Sequence, residues 1–224
     1  MSERLTLYSY WRSSAAYRVR IGLALKGLHY DTVPVHLVRN GGEQHAPDYA
    51  AANPQQLVPM LVHGQRRMRQ SLSILEYLDE VWPEPPLLPA TARGRQRVRA
   101  LAQVVACDIH PLNNLRVMRF FEHEWNVPQP ERDVWMRHWM VEGFRAFEAL
   151  LADHPSTGTF CEGDLPSLAD CCLVPQLYNA RRFGVDLAPY PTIGRIEAAC
   201  LAHPAFEAAH PGNQPDAPDR QAGG

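Results

Sequence analysis

Asn53-Pro54-Gln55-Gln56-Leu57-Val58-Pro59-Met60-Leu61-Val62-His63-Gly64-Gln65-Arg66-Arg67-Met68-Arg69-Gln70-Ser71 decides the architecture of the N-terminal half. The apolar run from Pro59 to Val62, a turn at His63-Gly64-Gln65 and the return over 66–69 read as a β-hairpin. Pro59 opens the first strand, where a ladder tolerates a residue without an N–H. A cis Val58–Pro59 bond aims the Val58 backbone N–H and C=O outward, toward an extended peptide-like ligand. The sequence leaves the isomer open, because only about 5–6% of X–Pro bonds in folded proteins are cis. Ile74, Leu75 and Leu78 then fall at i, i+1 and i+4, which predicts a helix over 71–81 with Ser71 at its N-cap.

Outward toward the N-terminus, Leu5-Thr6-Leu7-Tyr8 is a short β-favouring run. Residues 15–26 carry a broad apolar helical face stopped by Gly27, and 30–35 read as a second strand. A Gly-Gly loop and a short helical stretch complete the order β-α-β, linking helix, β-β-α. Outward in the other direction, Trp82-Pro83-Glu84-Pro85-Pro86-Leu87-Leu88-Pro89 holds four prolines in eight residues, a stiff connection that marks a domain boundary. Beyond it the periodicity predicts helices over roughly 93–123, 131–152, 167–183 and 192–201, with no strand pattern. Ser167 and Asp170 have capping-box spacing, and Pro175 is expected to kink the helix they start. Arg93, Arg95, Arg97 and Arg99 are spaced two apart, so successive members point about 200° apart and read as solvated surface. The polar, proline-rich stretch from Pro211 reads as a loose end. A mixed α/β half is thus joined to an all-α half.

Composition narrows the function classes. At 224 residues the chain allows one large domain or two small ones, and 46% hydrophobic with 21% charged residues is ordinary globular usage. The formal charge of −2 gives no electrostatic reason to expect a nucleic-acid partner. No apolar run approaches the roughly 18 residues of a membrane span, and no signal-like apolar region follows Met1, so the expected compartment is the cytoplasm. The five cysteines are odd in number and form no C-x-x-C pair. Cys107-x-x-His110 has a zinc-like spacing but lacks a second ligand pair, so no metal is expected. Of 22 cationic side chains 21 are arginines and one is a lysine, Lys26; arginine is the better fork for a carboxylate.

Three places in the α/β half suit an anion. Tyr10-Trp11-Arg12-Ser13-Ser14-Ala15-Ala16-Tyr17-Arg18-Val19-Arg20 spans the end of the first strand and the start of the first helix; Ser13 or Ser14 can cap it, and free N–H groups with the positive dipole end favour negative charge. Gln70-Ser71 offers a second helix start, and Val58 an exposed strand edge. Together they fit a small, extended, multiply anionic ligand. No strong nucleophile stands here, so any thiolate must come with the ligand. In Asn179-Ala180-Arg181-Arg182-Phe183 the arginines admit two readings, compensation of the helix dipole and a substrate carboxylate site.

Ser13-Ser14 with Arg18-Val19-Arg20-Ile21, then Asn53-Pro-x-x-x-Val58-Pro59, Gln70-Ser71 and Ser167-x-x-Asp170, resembles a cytosolic glutathione transferase. Leu173-Val174-Pro175-Gln176 and Val185-Asp186-Leu187-x-Pro189-Tyr190-Pro191-Thr192-Ile193 narrow the resemblance to the zeta class, over about residues 4–218. It implies a thioredoxin-like α/β domain over 1–84, an all-α domain over 90–212, a tail over 213–224 and a homodimer. It also implies glutathione-dependent cis–trans isomerisation of a dicarboxylate: maleylacetoacetate to fumarylacetoacetate in aromatic amino acid breakdown, or maleylpyruvate in gentisate breakdown, with transferase side activity. A ligand-binding protein that keeps only the fold is the rival. By the same resemblance Ser13, Ser14, Ala15, Ala16, Tyr17 and Arg18 surround the sulfur of reduced glutathione, Gln44 meets its glycyl end, Val58 its cysteinyl backbone, and Gln70 with Ser71 its γ-glutamyl end. His110, Asn114, Leu115 and Arg116 match the stretch that closes over the ligand, while Arg12 and Arg182 match positions for substrate carboxylates. Ser13, Ser14, Arg12 and Arg182 are accordingly the expected catalytic residues. One departure stands out: the family's Ser-Ser-Cys is here Ser13-Ser14-Ala15, which leaves the cofactor's sulfur as the only thiol nucleophile.

Overall fold

The computed structural model describes residues 4–218, which fall into two compact units. The first unit runs to Leu87 and takes in the chain again from Ala202; the second is Leu88–Leu201.

In the first unit the order is β1 (Leu5–Ser9), α1 (Ser14–Leu25), β2 (Asp31–Pro34), α2 (Pro47–Ala52), β3 (Met60–His63), β4 (Arg66–Arg69) and α3 (Ser71–Val81). The sheet order is β2-β1-β3-β4, with β1 parallel to β2 and the other pairs antiparallel. This is the thioredoxin-like arrangement. Strand side chains alternate between faces, and the two faces bury different sets. Leu5 and Leu7 join Val19 and Leu23 of α1, Leu61, and Ile74 and Leu78 of α3; Tyr8 packs instead with Tyr10, Val35, Tyr49, Val58 and Met60. Each fully buried leucine contributes on the order of 1.5–3 kcal/mol. The helices α1 and α3 approach so closely that a Cβ at Gly22 would sit 2.2 Å from Leu75 Cδ2.

Local chemistry ends α1 where the sequence does. Gly27 turns left-handed at φ 64°, Leu28 N–H donates to Leu23 O at 2.9 Å and Gly27 N–H to Ala24 O at 3.1 Å. That is a Schellman closure, completed by packing of Leu28 on the Leu23 cluster. Lys26 then turns inward. Its side chain is fully buried, and its three N–H donors reach Asp79 Oδ1 (2.6 Å), Trp82 O (2.7 Å) and Pro85 O (2.5 Å). Asp79 also accepts the Leu87 N–H at 2.6 Å, so one buried ion pair fastens the proline-rich connection.

Two expectations are corrected in this unit. Ser71 is the first helical residue of α3, and the N-cap is Gln70, whose left-handed backbone (φ 68°, ψ 112°) makes the turn out of β4. The stretch after 201, expected to divide between the helical domain and a loose tail, packs with the first unit instead. It forms α9 (Pro204–Ala209) and a 3-10 turn (Pro211–Asn213), and Gln214, Asp216 and Ala217 are buried. Internal hydrogen bonds replace water for its polar groups: Gln214 Nε2 donates to Ala208 O and His210 O. The last part of that tail, 219–224, lies outside the described residues.

The second unit comprises α4 (Ala92–Gln103), α5 (Leu115–His123), α6 (Gln129–Ala152), α7 (Leu168–Arg182) and α8 (Pro191–Leu201). The single helix expected over 93–123 is broken. α4 widens into a π-helical segment at Val104–Ile109 and tightens into a 3-10 turn at His110–Asn113. Pro111, lacking an N–H, cannot continue the ladder, and Asn114 is extended at ψ 144° and caps α5 through its side chain. The capping box forms as spaced, Asp170 accepting from Ser167 N–H (2.8 Å) and O–H (2.7 Å). The helix α7 runs on through Pro175. The solvated reading of the arginine row fails for Arg97, which binds Glu162, Cys161 O (2.7 Å) and Thr157 Oγ1 (2.8 Å).

Candidate active site

The loop between β1 and α1 is held from below by a buried arginine. From Ala16 to Leu23 every residue of α1 is buried, so Arg18 and Arg20 must find acceptors inside. Arg20, 0% exposed, donates to Ser9 Oγ (3.2 Å), Tyr10 O (3.4 Å), Trp11 O (2.9 Å) and Ala209 O (3.1 Å). Ser13 N–H closes a turn onto Tyr10 O at 2.9 Å. Arg12, half-buried, lies over the Trp11 ring, its Cζ 5.5 Å from the centroid.

The two serines then divide the work. Ser13 is the N-cap, its Oγ accepting the Ala16 N–H at 3.2 Å. Ser14 is the first helical residue and half-buried, and among the described residues no hydrogen bond uses its hydroxyl. The side chain free to serve an outside group at the positive end of α1 is therefore that of Ser14. Ala15 offers no polar group, and Ala16 and Tyr17 are buried in the core, so their side chains present nothing to a ligand. Arg18, also buried, donates from Nη1 to Ser71 Oγ at 3.2 Å, which couples the second turn of α1 to the start of α3.

At the hairpin, the Val58–Pro59 peptide is cis. The ladder starts at Met60, and neither backbone polar group of Val58 has a backbone partner among the described residues. The preceding Leu57 O is fixed by Tyr49 Oη and Asn53 Nδ2, both at 2.7 Å. Gln70 donates from Nε2 to Gln55 Oε1 at 3.1 Å. Its left-handed backbone costs on the order of 1–3 kcal/mol, the kind of strain a binding site sustains. Gln44 is buried in the 3-10 turn Glu43–His45; its Nε2 faces His45 Nε2 at 3.1 Å, and His45 Nδ1 meets Gln56 Oε1 at 2.6 Å.

In the helical unit His110 opens the 3-10 turn, Asn114 caps α5 by accepting the Arg116 N–H at 3.1 Å, and Leu115 and Arg116 are exposed. The paired arginines separate. Arg181 makes a two-pronged contact with both carboxylate oxygens of the buried Glu197, a structural bond. Arg182 is exposed, stacks on Phe183 at 5.2 Å and donates to Asn179 Oδ1 at 3.1 Å. Both lie in the last turn, where a cation also favours the dipole.

Four of the chain's five thiols are shut away from any ligand. Cys161, Cys171, Cys172 and Cys200 are buried. Burial and the nearby Asp170 push the Cys161 and Cys200 thiols far up, so they stay protonated. Only Cys107 is exposed. Among the described residues no group of three or more His, Cys, Asp or Glu is placed to hold a metal ion.

Sequence reasoning missed Arg20, His45 and Asp216, which accepts the Trp11 N–H at 2.8 Å. A signal existed for Arg20 alone, an arginine inside a helix whose neighbours are all apolar.

A thioredoxin-like sheet, two helix starts and, in place of the strand edge expected at Val58, an unpaired backbone residue just before the interior strand β3 make up the N-terminal half of a glutathione transferase. The model of the glutathione S-transferase N-terminal domain matches residues 3–80. A probable maleylacetoacetate isomerase of Vibrio cholerae is 49% identical over 213 residues, covering 95% of this chain and 98% of that one. A holo structure of maleyl pyruvate isomerase, a bacterial zeta-class glutathione transferase, superposes with a TM-score of 0.92 at 48% identity, covering 95% and 99%. A crystal structure of maleylacetoacetate isomerase from Anaeromyxobacter dehalogenans with glutathione in its active site has a TM-score of 0.86 at 49% identity, covering 97% and 99%. The chain belongs to the zeta class of the glutathione transferase family.

Proposed function

We propose that the chain is a glutathione-dependent cis–trans isomerase that converts maleylacetoacetate to fumarylacetoacetate. The observation that carries the reading is the unused Ser14 hydroxyl at the start of α1, with no protein thiol beside it. The unpaired Val58 backbone and the two helix starts fit an extended anionic tripeptide, and glutathione-bound relatives support that ligand. Bound glutathione supplies the thiolate whose reversible addition turns the alkene into a freely rotating single bond.

The residues of the chain do the rest. Ser13 keeps the first turn of α1 ordered, so its N–H groups and dipole stay aimed outward. Ser14 donates its hydroxyl to a negative sulfur, and a helix start lowers a thiol pKa. Val58 pairs with the cysteinyl backbone, Gln70 and Ser71 hold the γ-glutamyl carboxylate, and Gln44 faces the glycyl end. Ser71 Oγ accepts from Arg18, which can only donate, so the serine proton is left for an anion. Arg12 grips a substrate carboxylate and stabilises negative charge as it develops on the substrate; kinship assigns Arg182 and Arg116 to substrate carboxylates, and His110, Asn114 and Leu115 to ligand contacts. Kinship also supports a homodimer in the cytoplasm, the former checked by light scattering.

The second reading, maleylpyruvate as substrate, is favoured by the maleyl pyruvate isomerase at TM-score 0.92. The test is loss of the cis-enedione absorbance with each diacid, using catalytic glutathione and measuring free thiol. Turnover without thiol loss is expected, and the larger kcat/KM names the substrate. Net thiol consumption would make the protein a conjugating transferase, and no reaction with either diacid would make it a binding protein.

A further inference from the structure

We propose that Asp216 is a positioning residue for the loop that carries Arg12, Ser13 and Ser14; this rests on the isomerase reading. Asp216 is 7% exposed, and its Oδ2 accepts the Trp11 N–H at 2.8 Å across 205 residues of sequence. On the other side of the same residue, Trp11 O accepts from Arg20 Nη2 at 2.9 Å. Trp11 is therefore held at both its amide and its carbonyl, and its ring is the platform under Arg12.

The segment that carries the carboxylate is itself anchored. Asn213 Nδ2 donates to Glu207 O and Oε1, both at 2.8 Å, Gln214 Nε2 to His210 O at 2.9 Å, and Ala217 N–H to Gln214 O at 3.1 Å. Arg20 closes the circuit by donating to Ala209 O at the end of α9. Loop, α1, α9 and C-terminal segment thus share one hydrogen-bonded ring, and a shift at Asp216 passes to Arg12 through Trp11. Positioning errors of about 1 Å cost up to about a hundredfold in rate.

The test compares Asp216→Ala with Asp216→Asn, which keeps an acceptor oxygen in place. Amide exchange of the segment 10–14 is measured on ligand-free protein, with kcat and KM for diacid and for glutathione, and with thermal unfolding. The alanine variant is expected to exchange faster at Trp11 and to lose about tenfold in kcat/KM for the diacid; the asparagine variant is expected to recover to within about threefold of wild type. Wild-type exchange and kinetics in the alanine variant overturn the proposal, as does a lowered melting temperature with unchanged kinetics. An asparagine variant as impaired as alanine also overturns it, because charge and not the hydrogen bond would then act. Should the alanine variant not fold, Asp216→Glu, one methylene longer, must show the same faster exchange and kinetic loss, and wild-type behaviour there counts against the proposal. Wild-type protein without isomerase activity defeats the functional reading instead, and the exchange experiment still tests the latch.

Discussion

Replacing Ser13 and Ser14 one at a time by alanine separates scaffold from chemistry within two adjacent residues. Ser13 Oγ accepts the Ala16 N–H at 3.2 Å and is the sole side-chain cap of α1. Ser13→Ala leaves that donor unsatisfied, a loss of about 1 kcal/mol, which lowers the melting temperature of a chain this size by about 2–4 °C. Ser14→Ala removes a hydroxyl that no described hydrogen bond uses, so thermal unfolding should be unchanged. A hydrogen bond from that hydroxyl to a thiolate contributes about 1.5–3 kcal/mol, which is a loss of about 10- to 150-fold in kcat/KM at neutral pH. Circular dichroism melts and a pH series of the isomerisation rate read the two effects. Without the donor the thiol pKa rises, so the activity limb of Ser14→Ala moves to higher pH and converges on wild type where the thiol is fully ionised. A variant matching wild type across the series refutes the role, as does Ser13→Ala losing turnover with its melting temperature intact.

Arg20→Met removes a buried guanidinium from four neutral oxygen acceptors; each acceptor left buried and unpaired costs about 1–3 kcal/mol, measured as a fall in the urea midpoint. Arg182→Ala should raise KM for the diacid with little change in melting temperature, whereas Arg181→Ala, which strands the buried Glu197, should lower the melting temperature and spare KM. Thiol-directed alkylation of native protein should modify Cys107 alone and leave isomerase activity intact, the four buried cysteines reacting only after unfolding; intact-mass measurement counts the adducts.

Features written over short sequence separations were legible before the structure. The Ser167–Asp170 box, the Gly27 stop of α1 and the hairpin at His63-Gly64-Gln65 each depend on neighbours within a few residues. The helix over 93–123 was misread because its apolar period continues across Pro111, while the hydrogen-bond register changes in the widened segment before it. The tail was misread because its composition is polar. Its burial comes from partners made by folding, Trp11 for Asp216 and Ala208 and His210 for Gln214. In the candidate site both serines were visible, but which one caps was not. That depends on whether the extended residue before α1 is Ser13, which the turn onto Tyr10 O settles. Asp216 escaped because it stabilises a loop from outside it and no local pattern records such a contact; Arg20 carried a local signal, an arginine between apolar neighbours, but nothing in that signal names the loop it holds.

The buried ion pair at Lys26 has a chemical consequence under the proposed function, in which the protein handles an electrophile. Enediones form covalent adducts with amines as well as with thiols, and this chain's one lysine ammonium is sealed behind Asp79, Trp82 and Pro85. Every other cationic side chain is a guanidinium, which stays protonated and does not attack such carbons. The folded surface is thereby spared self-modification at lysine by a compound of the type proposed as its substrate.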